Sequence, residues 1–484
     1  MSLPRRQFLS LAAAASGAAL SSRWARAEQA KGLRVAVIGV NGRGQAHLAG
    51  LSRYVTAICD VDAKVLAQRV GKFEADHGRK VAAIRDYREI IDSPAYDAVA
   101  IATPNHTHAL IGIAAIQAGK HVYVEKPVSH NVWEGRQLVA AAERSGVIVQ
   151  VGTQSRRAGC LQRGVESAAA GKLGKGKSAL GTCNNPGPPI GKLDQPLAIP
   201  DSIDYDLWCG PAAKVDLYRP NLHYDWHWDF NTGAGDMGNQ GIHQMDVARW
   251  FLGHDALPPR TISIGGRVGY EDAGNTANSQ VVLHDYPDAP IVFETRGLPR
   301  SKAAQARWAS GMERYRGSQI GVVVQCEGGR VYSPNTYTEA MAYDNDGKQI
   351  QHWTGGGNHF ANWVEAIAAG DASRLNGPVR DGHLSSSLCH VGNVSHRTGQ
   401  VRTAEEIAEM VSSNPLLSSS FDRLAAHLRA NEVDVDSAPG ALTAGTWLTI
   451  DPTAEQVVDN AAAAKLWTRE YRAGFEVPQV AAQA

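Results

Sequence analysis

The chain has 484 residues, and its 48 lysines and arginines are matched by 48 aspartates and glutamates. That neutrality argues against a nucleic-acid or anionic-membrane partner. The length is too great for one hydrophobic core and suits two domains with an extension.

Residues 1–27 read as a removable signal. Arg5 and Arg6 precede a weakly hydrophobic run of Ala, Ser, Gly and Leu over 9–20, and Ala25-Arg26-Ala27 supplies a small-residue cleavage pattern. The pattern resembles a twin-arginine export signal, which carries proteins across a membrane already folded; an ordinary secretory signal and a short anchor are the alternatives. Its apolar run is well below the ~18 residues of a spanning helix, so no stable membrane insertion is expected after cleavage near Glu28. The destination is then periplasmic or otherwise exported. Folding before export takes place in a reducing compartment, so the six scattered cysteines, with no Cys-x-x-Cys spacing, are expected as isolated thiols.

From 32 to 154 strands alternate with helices. Apolar runs at 33–39, 54–59, 96–102, 121–124 and 147–151 read as strands, with helical stretches such as 133–145 between them. The alternation predicts a doubly wound parallel sheet, a Rossmann-type α/β domain. After the first run comes Gly39-Val40-Asn41-Gly42-Arg43-Gly44, a variant of Gly-x-Gly-x-x-Gly with Asn41 at the middle glycine's place. Gly42, one place later, and asparagine's tolerance of left-handed backbone offer the same close approach to a pyrophosphate. The turn gains weight from lying between a strand and a helix, with Asp60 at the end of the next strand. A carboxylate there bonds a ribose diol and repels a 2′-phosphate, which favours NAD. NADP stays open, because Arg43 can accept that phosphate. Two further strand ends carry Thr103-Pro104-Asn105-His106-Thr107-His108 and Glu125-Lys126-Pro127, where such a sheet binds its ligands. The expected cofactor-facing residues are Gly39, Asn41, Gly42, Arg43, Gly44, Asp60, Thr103, Pro104, Asn105, His108, Glu125, Lys126 and Gln154.

A second domain is read over 155–400. A helix at 161–170 and a strand at 177–182 precede a Pro/Gly-rich excursion over 184–200, and then an aromatic-dense stretch, His223 to Phe230. Its rings suit the faces of a pyranose, although such side chains also pack in cores. His223 and His227 are spaced as a helical pair but lack a supporting acid, so no metal is expected. His243, Asp246 and Trp250 share one helical stripe, which would aim His243 from a helix start into the crevice. Asn358 caps a helix whose Phe360, Trp363, Val364 and Ile367 form a core face, leaving His359 at its mouth. The expected substrate-facing residues are Arg157, Tyr224, Trp226, Asn239, His243 and His359. A helix-rich extension over 401–484 ends in a docked segment at 474–478.

The glycine turn with His47, the 103–108 segment, Glu125-Lys126-Pro127 and Gly241-Ile242-His243-Gln244-Met245-Asp246 resemble the glucose–fructose oxidoreductase / inositol dehydrogenase (Gfo/Idh/MocA) family. The resemblance implies a Rossmann domain followed by an α/β domain whose open, mainly antiparallel sheet helps form dimers or tetramers, hence a homo-oligomer. It also implies sugars, polyols or their derivatives as substrates. At the place where the family pattern has an acidic residue, four before the histidine, stands Asn239, which binds a hydroxyl but takes no proton. The acid/base burden then falls on Lys126 and His243, the expected catalytic residues. An ordinary lysine ionises near 10.4 and is a poor base at neutral pH; burial beside an oxidised nicotinamide would bring it to ~7, about 4 kcal/mol.

Export adds a constraint. With association at about 10⁶ per molar per second, a micromolar cofactor leaves within about a second. Holding it for an hour takes a dissociation constant near ~10⁻¹⁰ M, about −13.6 kcal/mol. The cofactor must also be regenerated in place. Three readings follow: an oxidoreductase that returns the hydride to a second carbonyl compound; an NAD-dependent glycosidase that oxidises, eliminates, hydrates and reduces one substrate; and a sugar-binding protein without turnover.

Overall fold

The structure is a computed structural model that describes residues 32–480 apart from 318 and 335. The expected signal at 1–27 lies outside the described residues.

β1 (Val35–Ile38) is buried at every position, as a strand must be when helices cover both faces of its sheet. In chain order follow α1 (Gly44–Gly50), β2 (Val55–Cys59), α2 (Ala63–His77), β3 (Ala82–Ile84), α3 (Tyr87–Asp92), β4 (Ala98–Ile101), α4 (Asn105–Gln117), β5 (His121–Val124), α5 (Val132–Ser145) and β6 (Val149–Val151). The strands are parallel in the order β3-β2-β1-β4-β5-β6, so the winding reverses beside β1, where such sheets bind ligands. α2 begins where the Asp62 side chain accepts the Lys64 amide hydrogen, and ends at Gly78, whose φ of 63° suits glycine. One face of the sheet packs on Leu110 and Ile113 of α4 and Leu138 of α5. The other packs on Leu48, Leu66 and Phe73 of α1 and α2.

The chain then forms α6 (Gly159–Ala169), β7 (Gly176–Cys183), α7 (Tyr205–Cys209), α8 (Ile242–Leu252), β8 (Arg260–Gly266), β9 (Ser279–His284), β10 (Ile291–Arg296), β11 (Ile320–Cys326), β12 (Gly329–Pro334), β13 (Glu339–Asp344) and β14 (Gln349–Thr354). After these come α9 (His359–Ala369), α10 (Val379–Arg397), β15 (Gln400–Arg402), α11 (Ala404–Val411), α12 (Pro415–Ala430), β16 (Leu442–Ala444), β17 (Leu448–Asp451), β18 (Gln456–Val458) and α13 (Ala461–Leu466). The sheet order is β14-β13-β12-β11-β7-β10-β9-β8-β16-β15, with β17 sharing the edge of β8 and β18 beyond it. Only β7 and β10 pair in parallel among the described strands of this sheet. Met245 and Phe251 of α8 pack with Val282, Phe293 and Val322 on one face.

Two features depart from the expected layout. The extension supplies strands as well as helices, and its α11 and α12 cover the β8–β10 part of the sheet's other face, with Ile407, Leu417 and Phe421 against Ile262, Ile264 and Val281. That part of the sheet is therefore covered on this face as well, while the strand order stays unclosed and mainly antiparallel, as expected. α9 also leaves the second domain and seals the Rossmann sheet with Phe360, Val364 and the fully buried Trp363. All six cysteines are buried and free, as expected. No described helix is long and apolar enough to cross a membrane.

Candidate active site

A cavity of about 490 Å³ opens at the carboxyl ends of β1, β2, β4 and β5, within the ~300–1,000 Å³ typical of small-molecule sites. The glycine turn forms its floor. Gly39 has φ 83°, and a Cβ there would lie 2.8 Å from backbone atoms of Ala102 and Thr103. A Cβ on Gly44 would lie 1.9 Å from the Gly39 carbonyl oxygen, so the third glycine packs the turn against its helix and stays off the cavity wall. Gly42 faces open space. The Gln45 side chain donates to the Asn41 carbonyl at 2.7 Å and stiffens the turn.

Asp60 ends β2 with one carboxylate oxygen accepting from the Val40 amide at 2.9 Å and the other from the Asp62 amide at 3.0 Å. Burial nevertheless raises its pKa, because the two amides offset only part of the desolvation. At the end of β4, Pro104 caps α4, and Asn105 is buried on the cavity wall with its Oδ1 unpartnered. His108 bridges the carbonyl oxygens of Pro127 and Thr103, both at 2.7 Å, and so ties the ends of β4 and β5 together.

Glu125 and Lys126 occupy the end of β5. Burial alone would raise the Glu125 pKa, but a hydrogen bond from His47 at 3.0 Å and the charges of His47, Arg43 and Lys126 hold it well below the usual range. Arg43 reaches Glu125 at 2.9 Å and the Gln154 side-chain oxygen at 2.6 Å, which places Gln154 behind Arg43 and not on the wall. Lys126 donates from Nζ to the Asn239 carbonyl oxygen at 2.5 Å. Burial lowers the lysine pKa, opposed by the Glu125 charge.

From the second domain, Asn239 lies on a π-helical turn (Met237–Gly241) that feeds α8, a distortion often found at functional sites. His243, the second residue of α8, is off the cavity wall: it is 5% exposed, its Nδ1 is unpartnered, and its ring lies 5.9 Å from that of Tyr337. Burial, with the Lys126 charge, pushes it down to about 3, so it is a neutral imidazole at ordinary pH. Asp236, at the start of the same turn, is 2% exposed with Oδ2 unpartnered; burial pushes it up to about 6. Tyr224, Trp226 and His227 reach the cavity, with the last two rings stacked at 3.6 Å. Tyr224 is 60% exposed at φ 68°, a left-handed backbone that bulky residues rarely adopt.

Of the expected residues, Gly39, Asn41, Gly42, Arg43, Asp60, Thr103, Pro104, Asn105, His108, Glu125, Lys126, Tyr224, Trp226 and Asn239 line one cavity. Arg157 and His359 do not. The Arg157 backbone is packed against Gly357, and His359 is turned behind β5, where its Nδ1 meets the Tyr123 hydroxyl at 2.5 Å. The cavity also takes in His223, from the aromatic stretch, and Tyr87, Leu207 and Trp208, which sequence patterns did not single out as cavity residues. Leu207 and Trp208 sit on α7, a helix of five residues, too short for a period to mark which side faces inward.

A doubly wound domain whose glycine turn shares a cavity with an antiparallel-sheet domain defines a two-domain dinucleotide-binding protein. Residues 33–153 match the oxidoreductase family with NAD-binding Rossmann fold, and 190–305 match the C-terminal α/β domain of the same family. The chain is 33% identical over 388 residues to inositol 2-dehydrogenase 3 of Saccharopolyspora erythraea, covering 76% of this chain and 94% of that one. It belongs to the Gfo/Idh/MocA oxidoreductase family. It is also 26% identical over 251 residues to levoglucosan dehydrogenase of Pseudarthrobacter phenanthrenivorans, a match covering 48% of this chain and 57% of the relative. Several such matches span little more than half of the relatives' length. A solved structure of levoglucosan dehydrogenase in complex with NADH and levoglucosan shares the fold, with TM-score 0.55, 18% identity and coverage of 75% of this chain and 96% of that one. The residues present fit a nicotinamide dinucleotide: Gly42 leaves room for a pyrophosphate, and Asp60, at the end of β2, lines the same cavity.

Proposed function

We propose that the protein is an NAD-dependent oxidoreductase acting on a CH–OH group of a sugar, polyol or derivative. The observation that carries this is the Lys126 ammonium, set in the same cavity as the dinucleotide turn and held against the second domain's π-helical turn. Bound NAD supplies the hydride acceptor or donor. Lys126 holds the substrate hydroxyl and, with its pKa lowered by burial, takes or returns that proton. Glu125, kept ionised by Arg43 and His47, fixes the lysine's side of the site. His243 is neutral, its pKa lowered by burial and by the Lys126 charge, so it carries no charge beside the lysine. Tyr224 and Trp226 give the ring faces on which a sugar stacks. The cofactor is held tightly and recycled in place, in keeping with the export expected from Arg5 and Arg6.

The test is to purify the protein from the exported fraction, identify its bound nucleotide and follow its oxidation state while sugars and glycosides are added. Lasting reduction by one sugar, reversed by a second compound, supports the reading. Aglycone release without net reduction assigns the redox-neutral glycosidase instead, and no turnover on any sugar assigns a binding protein. Replacing Arg5 and Arg6 by lysine is expected to leave the protein in the cytoplasm; undiminished export would remove the twin-arginine reading.

A further inference from the structure

The outer wall of the cavity is not part of the Rossmann domain. It is an irregular stretch of the second domain, reaching the cavity through Leu207, Trp208, Gly210, His223, Tyr224 and Trp226. This stretch is clipped to the end of β2 by backbone hydrogen bonds from Ala63 to Ser202 at 2.8 Å and from Asp204 to Val61 at 3.0 Å, and by His223 on Asp62 at 3.1 Å. Buried His106 of α4 reaches the carbonyls of Trp208 at 2.8 Å and Thr232 at 3.2 Å. These contacts hold the segment on its Rossmann-facing side, and Arg219 on Asp229 at 2.9 Å braces it internally.

Residues 469–472 grip the same segment from a second side. Arg472 donates to the carbonyl oxygens of Asp206 at 3.0 Å and Gly210 at 3.1 Å, and its guanidinium also pairs with the Asp206 carboxylate. Arg469 donates to the Asn231 carbonyl at 3.0 Å and to its side-chain oxygen at 2.8 Å. The two arginines thus grip both ends of the wall, at 206–210 and at 231. Their own segment is anchored on the Rossmann domain, where Phe475 and Val477 are buried in the same core cluster as Leu110 and Leu207 and the Tyr471 hydroxyl donates to Glu134 at 3.2 Å. Arginine suits this task, because its planar fork serves several acceptors at once.

We infer that Arg469 and Arg472 are positioning residues for cofactor retention: they bolt the second-domain wall over the cavity, so that a dinucleotide leaves only when the bolt opens. This rests on the proposed NAD-dependent function. It explains how a protein with an ordinary nucleotide turn holds its cofactor for long periods, since release then requires breaking the bolt as well as the nucleotide's own contacts.

The experiment loads the full chain with NADH, removes the excess, and follows release into an excess of NAD by loss of bound-NADH fluorescence. Arg472→Ala is expected to speed release on the order of tenfold or more, equivalent to ~1.4 kcal/mol or more. Asp206→Ala, which removes the carboxylate contact and leaves both carbonyl bonds and the anchored tail, is expected to speed release by a smaller factor. The double variant should release no faster than the faster single one, the signature of a shared contact. The melting temperature of the cofactor-free proteins separates loosening of the bolt from general destabilisation. Wild-type release rates in Asp206→Ala, or strictly additive effects in the double variant, overturn the inference while leaving the function standing. A wild-type chain that takes up no NADH overturns both.

Discussion

Asp236→Asn is expected to stabilise the protein at neutral pH. The carboxylate is 2% exposed, has one oxygen without a partner, and is pushed from an ordinary aspartate value of 3.8 up to about 6 by burial, against the Trp228 hydrogen bond and the Arg267 charge. A folded-state pKa above the unfolded one means the folded chain binds the proton more tightly. The side chain's favourable contribution is then fully present below pH ~4 and is lost as pH rises through ~6. At 1.36 kcal/mol per pH unit the difference is ~3 kcal/mol, and burial leaves little solvent screening to reduce it. The amide keeps the size and the acceptor for Trp228 without the charge. Denaturant midpoints of both proteins across pH 4 to 8 provide the assay. The variant should gain most at pH 8, and the excess should vanish near pH 4. An equal gain at both ends, or none at pH 8, would refute the electrostatic reasoning.

Lys126→Ala should keep its nucleotide, read as NADH fluorescence, and lose roughly 10²–10⁴ in turnover, the worth of a positioned acid/base; near-normal rates with intact cofactor would remove the lysine from the chemistry. Asp60→Ala should narrow the preference for NAD over NADP in competitive binding, and should also cost ~1–3 kcal/mol for each of the Val40 and Asp62 amides left unpaired. Gly44→Ala forces a methyl to 1.9 Å from the Gly39 oxygen, so nucleotide affinity should fall sharply, and unchanged affinity would show that the turn can shift. Trp363→Ala should lower stability by ~3–5 kcal/mol, read by denaturant unfolding, because α9 would leave a void on the Rossmann sheet.

The Rossmann strands could be read from continuous apolar runs because the sheet is covered twice. β3 escapes that logic: Ala82, Ala83 and Ile84 form a short edge strand with two exposed alanines. The strands β15 to β18 were hidden because they are only three or four residues long and mix polar with apolar residues, with register supplied by β8 and by each other. At the site, residues placed by the ends of parallel strands converged as expected. His243 and His359 show the limit of the method. A helix start fixes where a residue begins but not which neighbour it meets, and tertiary packing turned His359 toward Tyr123. The π-helical turn before His243 has no distinctive spacing of its own, yet it resets the direction of every side chain from Met237 onward.

The burial of Phe475 and Val477 in the first domain's core also sets a timetable. The ribosome makes β1 and β4 early, but two of the apolar side chains that finish their packing emerge only at the end of the chain. At ~5–20 residues per second the gap is on the order of 20–90 s. Through that interval the apolar cluster around Ile90, Leu110 and Leu138 lacks two of the side chains that complete it. A chain cut short before Phe475 leaves that cluster incomplete for good.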